Sequence, residues 1–155
     1  VVPGRKLDDN DQVLLEYEGG ATGVNWSCQF AIGSDNSLRV RIYGSKGTIL
    51  WDQERCEEIT LIKEDGIPRT IRRGNGAVTP GAAQYGRLPA GHTEGWLEAM
   101  GNLYDSFTQC VKANKEGTFT EDMIDYPTVE AGIQGLKYVE ACLESNEKGN
   151  IWVTL

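Results

Sequence analysis

The hydrophobic periodicity of the chain changes once, and this change constrains the fold more than any other feature. From Gln12 to about Arg73, apolar and polar residues alternate, as they do on β-strands with one buried face. Gly19-Gly20 and the run 44–47 (Gly-Ser-Lys-Gly) are tight-turn signals, so we expect consecutive strands to pair antiparallel rather than in a parallel nucleotide-binding sheet. The predicted strands lie near 12–18, 22–32, 37–43, 47–52, 58–64 and 69–73.

The second half has the period of helices. Apolar residues spaced by three and four predict one helix from Trp96 to about Asn114, and a second after Pro127 with Thr128 as its N-cap. A short closing strand is predicted at 151–153. We therefore expect an α+β fold, an open-faced, mainly antiparallel sheet with helices packed on one face. The predicted buried stripes are Trp96, Met100, Leu103, Phe107 and Cys110 in the first helix, and Val129, Ile133, Leu136, Val139 and Leu143 in the second.

The length and the net charge of the chain limit the classes of function that it can have. The 155 residues correspond to about one domain. With 15 basic and 23 acidic residues the net charge is −8, which disfavours binding to nucleic acid or to anionic membranes. No apolar run approaches the roughly 20 residues of a membrane-spanning helix. The chain begins Val1-Val2-Pro3-Gly4 without an initiator Met or a signal-peptide pattern, so we expect a piece of a longer protein.

The cysteines and the single histidine argue against a metal site. Cys28, Cys56, Cys110 and Cys142 are widely spaced, and no C-x-x-C pair occurs. We expect buried, reduced thiols in a cytoplasmic protein.

Polar residues follow the second face of the predicted central strands. Such a face is typical of a sheet that is solvated on one side. It is equally typical of a self-complementary surface through which two copies form a dimer. The residues are Asn25, Ser27, Gln29, Arg39, Arg41 and Tyr43.

The best candidate for chemistry is Gly91-His92-Thr93-Glu94-Gly95-Trp96, where a long irregular loop over 74–91 meets the first helix. His92 or Thr93 is expected at the N-cap, where the helix dipole favours anions, and an imidazole with a carboxylate there can contact a sugar or polyol. The alternative is that His92 caps the helix and Glu94 complements its dipole. Gly74-Asn75-Gly76 lacks the third glycine of a dinucleotide fingerprint, because that position is Thr79.

Several short motifs, in order and register, resemble one family over nearly the whole chain from Asp8 onward. The chain is similar to the C-terminal domain of the glucose–fructose oxidoreductase, inositol dehydrogenase and rhizopine-catabolism (Gfo/Idh/MocA) family, a dihydrodipicolinate-reductase-like domain. The motifs are Gly-Gly-Ala-Thr-Gly (19–23), Tyr-Gly-Ser-Lys-Gly-Thr-Ile-Leu-Trp (43–51), Arg-Leu-Pro-Ala-Gly-His-Thr-Glu-Gly-Trp (87–96), Asn-Leu-Tyr (102–104), Tyr-Pro-Thr-Val (126–129) and the ending from Ser145 to Leu155.

The resemblance implies a two-domain dehydrogenase in which a Rossmann domain, absent from this chain, precedes a single C-terminal domain spanning 1–155. Such enzymes use NAD or NADP to oxidise or reduce a hydroxyl or keto carbon of sugars, inositols and related polyols. The second domain supplies an open sheet for dimer contacts and part of the substrate pocket. The resemblance also implies that His92 lines the substrate pocket, that Glu94 supports it, and that Arg87 orients the substrate.

The departures from the family pattern predict that this chain alone is inactive. The Glu-Lys-Pro lysine of the family does not occur here, and Leu88 stands where the aspartate of the Asp-x-x-x-His pair would precede His92. We therefore expect no catalytic residue, no cofactor-binding residue and no metal ligand in the chain, and weak or no NAD(H) binding. The alternative is a non-catalytic, sheet-based interaction module that has kept the fold without the chemistry.

Overall fold

The structure is a computed structural model that describes residues 3–155. Val1 and Val2 lie outside the described residues. It divides into two compact units, one made of Val1–Ser34 (described from residue 3) with Pro127–Leu155, the other of Asp35–Tyr126. The strands are β1 (Asn10–Glu16), β2 (Thr22–Cys28), β3 (Arg39–Gly44), β4 (Gly47–Asp52), β5 (Glu58–Lys63) and β6 (Pro68–Arg72), and the helices are α1 (Pro80–Ala83), α2 (Trp96–Glu116) and α3 (Val129–Glu147).

The α+β class and the antiparallel pairing are confirmed, but the predicted single sheet is found as two. β1 and β2 form a two-stranded sheet, and β3-β4-β5-β6 form a four-stranded one in sequence order. β2 ends at Cys28 rather than Ile32, because the chain turns soon afterwards: the N–H of Ile32 donates to the carbonyl of Phe30, and that of Ser34 to the carbonyl of Ala31. Asn25 and Ser27 thus lie on one sheet, whereas Arg39 and the rest of β3 lie on the other.

The four-stranded sheet has one apolar and one polar face. The register aligns Val40, Trp51, Ile59 and Ile71 across all four strands on the apolar face. On the opposite face, a row of Arg41, Leu50, Thr60 and Thr70 crosses the sheet, flanked by the pairs Arg39–Asp52 and Glu58–Arg72. The alternation read from the sequence therefore assigned the faces of β3 correctly.

The helices begin near their predicted positions but turn other faces inward. Thr128 is the N-cap of α3 as predicted, and its hydroxyl accepts a hydrogen bond from Ala131 N–H. The predicted α3 stripe is wrong: Val129 is 75% and Leu136 is 69% exposed. The half-buried face is the opposite one, with Tyr138, Ala141, Cys142 and Ser145.

The predicted stripe of α2 is only partly correct. Cys110 is buried together with Ala113, but Trp96 is 68% exposed. The side of α2 that turns inward also carries Asn102 and Ser106, which are half-buried. Phe107 is exposed on one side, and its ring makes an edge-to-face contact with Tyr126 at 5.5 Å between centroids.

The hairpin of the first unit also differs from the sequence interpretation. The apolar residues Val24 and Trp26, which alternate with Asn25 and Ser27, are 73% and 65% exposed. The other face is directed towards α3, since Asp11 and Asn25 lie near the Tyr138 hydroxyl. Burial, more than its neighbours, raises the pKa of that phenol to about 12.

The predicted strand at Ile151–Val153 is wrong, because this segment joins no ladder in the described structure. Its backbone is held instead by the Ser145 hydroxyl, which donates to the carbonyl of Ile151 at 2.6 Å. Across residues 3–155, no helix is both long and apolar enough to cross a bilayer.

Candidate active-site loop

The loop that carries the candidate site leaves the sheet at β6 and is closed by a glycine contact. We call residues 87–95 the His92 loop. Gly74, two residues after β6, has a φ of +75°, and a Cβ placed on it would lie 2.9 Å from the backbone nitrogen of Ala90. Only glycine permits this left-handed backbone together with so close an approach. Before the chain reaches the His92 loop, Thr79 caps the short helix α1.

Arg73 fixes the His92 loop to the sheet. Its Nη1 donates to the carbonyl of Leu88 at 2.8 Å, and its Nη2 donates to the carbonyl of His92. The same guanidinium binds both carboxylate oxygens of Glu57, at 3.3 Å through Nε and 3.0 Å through Nη2. The planar fork of arginine suits such a bidentate carboxylate contact.

Glu94 completes this network from inside the loop. It is only 6% exposed, and its Oε1 forms an ion pair with Nη1 of Arg73 at 2.9 Å. The same oxygen accepts hydrogen bonds from the backbone N–H of Arg87, at 2.7 Å, and from that of Leu88. The backbone N–H of Glu94 in turn donates to Glu57 at 2.7 Å. The carboxylate therefore ties the loop to itself and to Arg73.

The contacts between Arg73, Glu57 and Glu94 shift the pKa values of Glu57 and Arg73. Burial pushes the pKa of Glu57 upward, but the N–H of Glu94 and the hydrogen bond and charge of Arg73 together outweigh it, so the pKa lies below the ordinary value of 4.5. The hydrogen bond to Glu57 raises the pKa of Arg73 despite desolvation, and the charges of Glu57 and Glu94 add to this. Glu57 and Arg73 are therefore both held charged at neutral pH.

The polar side chains at the surface of the loop are those of Arg87, His92 and Thr93, which are all exposed. Nε of Arg87 donates to Oδ1 of Asn102 at 3.0 Å, and the amide of Asn102 donates to the carbonyl of Tyr85 at 2.9 Å. This bond joins Arg87 to the first part of α2, and the residue itself is exposed.

The N-cap of α2 is Gly95, so the prediction of His92 or Thr93 at that position is wrong. Glu98 fills the role that a capping side chain would have, because its carboxylate accepts from Gly95 N–H at 2.8 Å. The N–H groups of Gly95 and of Glu98 itself lower the pKa of Glu98.

Sequence reasoning found the residues of the loop but missed those that hold it. The structure places Arg87, His92 and Glu94 on one loop, with Glu94 inside and the other two outside. Glu57 and Arg73 were missed because they lie 16 residues apart, one just before β5 and the other just after β6. A usable signal was present, since Glu57-Glu58 and Arg72-Arg73 are like-charged dipeptides at the ends of strands predicted to pair. Within residues 3–155, no three His, Cys, Asp or Glu side chains are grouped so as to hold a metal ion.

A family model and a related protein both place the chain among oxidoreductases. Residues 1–155 match the model of an oxidoreductase family, C-terminal alpha/beta domain. The uncharacterized oxidoreductase YfiI of Bacillus subtilis (strain 168) is 34% identical over 148 residues, which are 95% of this chain and 38% of that protein.

Solved structures agree with this match. An inositol dehydrogenase homolog from Azotobacter vinelandii, complexed with NADH and myo-inositol, has a TM-score of 0.89 and 34% identity, over 97% of this chain and 40% of its own. An oxidoreductase from Pseudomonas syringae has a TM-score of 0.91 and 34% identity, over 97% and 42%. This chain thus spans about two fifths of the length of these relatives.

The Gly74 contact gives a first prediction. Replacement Gly74→Ala should destabilise the chain by about 2 kcal/mol, since a left-handed alanine alone costs about 1–2 kcal/mol and the methyl group also meets Ala90. Urea unfolding measures the loss, and faster amide exchange at Leu88 locates it in the loop. Gly76→Ala is the matched control, because its Cβ would meet no atom within 4 Å. Equal losses in the two variants would contradict the proposed contact.

The lowered pKa of Glu57 gives a second prediction. Its ionised form is stabilised by folding, so this stabilisation is present above the ordinary pKa of 4.5 and is lost as the pH falls through the lower folded value. Urea midpoints of the wild type and Glu57→Gln, compared from about pH 6 to about pH 3, should therefore differ most at the upper end and converge at the lower end. A difference that stays constant over this range would show that Glu57 does not titrate with folding.

Proposed function

The chain belongs to the Gfo/Idh/MocA oxidoreductase family as its C-terminal alpha/beta domain, and on this premise we propose that it forms the substrate-pocket and oligomerisation domain of an NAD(P)-dependent dehydrogenase. The proposed substrates are sugars, inositols or related polyols, and the reacting group is a CH–OH carbon. One observation carries the proposal, namely the rigidly anchored loop that presents His92 and Arg87 outward. The relative solved with NADH and myo-inositol, at 34% identity, supports both the cofactor and the substrate class.

In this proposal the loop binds and orients substrate. The imidazole of His92 can donate and accept hydrogen bonds, and the free nitrogens of Arg87 can donate to hydroxyl or carboxylate oxygens. Glu94 has the supporting role, because its carboxylate is already engaged by Arg73 and by two backbone N–H groups. A polyol offers several hydroxyl groups, so a few well-placed polar side chains suffice to select its orientation.

The residues of this chain do not fit a dinucleotide cradle. The glycine-rich segment 74–76 forms a turn, and Gly74 is used for the approach of Ala90 rather than for a ligand. The described sheets are antiparallel, whereas a dinucleotide fold places phosphates between parallel strands and a following helix. We therefore assign NAD or NADP to a preceding Rossmann domain, and assign the chain neither the hydride acceptor nor the proton-transferring residue.

The same proposal includes a homo-oligomer formed through the polar sheet face. Arg39, Arg41 and Tyr43 alternate along β3 and are exposed, as such an interface requires. Asn25 fits less well, because it lies near Tyr138 of α3. The four cysteines are free thiols, which supports a reducing compartment such as the cytoplasm.

Substitution of His92 tests the substrate role. In the complete protein with NAD⁺ and a panel of polyols including myo-inositol, His92→Ala should lower kcat/KM about tenfold or more, because a hydrogen bond to the substrate is lost. Lys115→Ala, at the far end of α2, is the control and should retain the wild-type value. If His92→Ala matches the wild type, His92 has no role in the pocket. If the wild type turns over no polyol, the interaction-module alternative is favoured.

Cofactor binding by the isolated 155-residue chain gives a separate test. We expect no saturable NADH binding by fluorescence titration, because the chain offers no phosphate cradle. The complete protein measured in parallel should bind NADH. Stoichiometric binding by the isolated chain would contradict the assignment of the cofactor to another domain.

A further inference from the structure

Arg87 is the arginine of the His92 loop, and its guanidinium has no counterion among residues 3–155. Nε donates to Oδ1 of Asn102 at 3.0 Å, whereas Nη1 and Nη2 form no hydrogen bond within that part of the chain. Arg73 differs in this respect, because two carboxylates bind its guanidinium. The positive charge of Arg87 therefore remains unbalanced at the surface of the loop.

Asn102 holds the guanidinium of Arg87 in place. Its side-chain carbonyl accepts from Nε, and its amide nitrogen donates to the carbonyl of Tyr85 at 2.9 Å, so turning the amide over would break both bonds. Asn102 is itself half-buried in α2. A Cβ placed on Gly101 would lie 3.8 Å from Nη2 of Arg87, so the guanidinium lies beside the helix backbone. The donors left for a ligand are Nη1 and Nη2, at the tip of the fork.

The carboxylates near the loop do not neutralise Arg87. Glu94 binds Nη1 of Arg73 and the backbone N–H of Arg87, but not its guanidinium. Glu98 accepts from Gly95 N–H at 2.8 Å, which lowers its pKa most. The charge of Arg87 also lowers this pKa, although the two side chains form no ion pair. Neither carboxylate is therefore a counterion of Arg87.

Arg73 brings the two exposed parts of the loop together. Its Nη1 donates to the carbonyl of Leu88, and its Nη2 donates to the carbonyl of His92. Because both nitrogens belong to one guanidinium, the backbone that follows Arg87 and the backbone of His92 lie close to each other. The cation of Arg87 and the imidazole of His92 are both exposed on this short segment.

We propose that Arg87, positioned by Asn102, selects substrates that carry a carboxylate, so that sugar acids and polyol acids are preferred to neutral sugars and polyols. This role rests on the proposed function, because it requires the His92 loop to line the substrate pocket. Nη1 and Nη2 match the two oxygens of a carboxylate in a bidentate contact. A hydroxyl group offers one acceptor oxygen and no charge, so it gains less from the same two donors.

The bond to Asn102 makes this contact selective. An exposed ion pair formed by a mobile arginine gains little, since holding the long side chain in one geometry costs entropy. In Arg87 part of this cost is offset in advance, because Nε is bound to Asn102 before any ligand is present. Asn102 contacts Arg87 rather than the substrate, so it is a positioning residue.

Matched neutral and acidic sugars test this selectivity by calorimetry on the complete protein with NADH. The pairs are glucose with glucuronate and glucitol with gluconate, whose members differ only in a terminal CH2OH or carboxylate. The wild type should bind the acid of at least one pair about tenfold more tightly, as expected for a bidentate charged contact. Arg87→Gln should remove this preference and change the affinity for the neutral member far less. Arg87→Lys, which keeps the charge but not the fork, should fall between the two.

Two substitutions of Asn102 separate positioning from folding. Asn102→Ala releases the guanidinium, whereas Asn102→Asp supplies a counterion to Arg87, so both should lower the ratio of acid to neutral affinity, and aspartate should lower it more. This ratio compares two ligands on the same protein, so a general loss of folded protein leaves it unchanged. Arg69→Gln is the matched control, because it removes the same charge from the β5–β6 hairpin, where Arg69 pairs with Asp65. Its ratio should equal that of the wild type.

Equal affinities of the wild type for the acid and the neutral member of both pairs, or no binding of either, would overturn the proposal. A preference for acids that persists in Arg87→Gln would also overturn it, since another group would then hold the carboxylate. An unchanged ratio in both Asn102 variants would refute the positioning role. Turnover with NAD⁺ tests the proposed function separately. Oxidation of neutral polyols without a preference for acids would leave the dehydrogenase role and remove the selectivity, whereas tight binding of acids without oxidation of any sugar would contradict the dehydrogenase role.

Discussion

One guanidinium group, that of Arg73, connects the sheet to the loop on which the proposed function rests. Its side chain is 20% exposed and lies between two carboxylates, Glu57 and Glu94. The positive charge of Arg73 offsets the repulsion between these two carboxylates, which are both shielded from water. Arg73 thus joins the buried carboxylate of Glu94 and the backbone of the His92 loop to the end of β6.

The alternation of side chains along a β-strand explains how the ends of β5 and β6 contribute to two separate ion pairs. Glu57-Glu58 and Arg72-Arg73 are consecutive residues in register at the ends of β5 and β6. Because successive side chains point to opposite faces, Glu58 and Arg72 meet on the polar face, while Glu57 and Arg73 meet at the His92 loop. The ion pair on the polar face and the network at the His92 loop are therefore built from neighbouring residues without sharing any.

The sequence was most informative where structure depends on near neighbours. Turn glycines, two-residue alternation and the Thr128 cap act over a few residues, and they located β1 to β6, α2 and α3 to within a few residues, but not the short helix α1. The inward face of α3 could not be predicted in this way, because the apolar stripe and the half-buried Tyr138 side lie on opposite sides of the helix, and periodicity alone does not tell which one packs. The Arg73 network was missed for a related reason, since Glu57 and Glu94 are 37 residues apart and only tertiary structure brings them together.

The anchoring of the His92 loop has an evolutionary consequence. Arg73 and Glu94 contact the loop mainly through main-chain atoms, namely the carbonyls of Leu88 and His92 and the amides of Arg87 and Leu88. Main-chain groups are the same for almost every amino acid, so the exposed positions 87, 88, 92 and 93 are free to mutate while the loop keeps its conformation. In such a scaffold, a change at an exposed side chain can alter what the loop contacts without altering the backbone conformation that Arg73 and Glu94 hold.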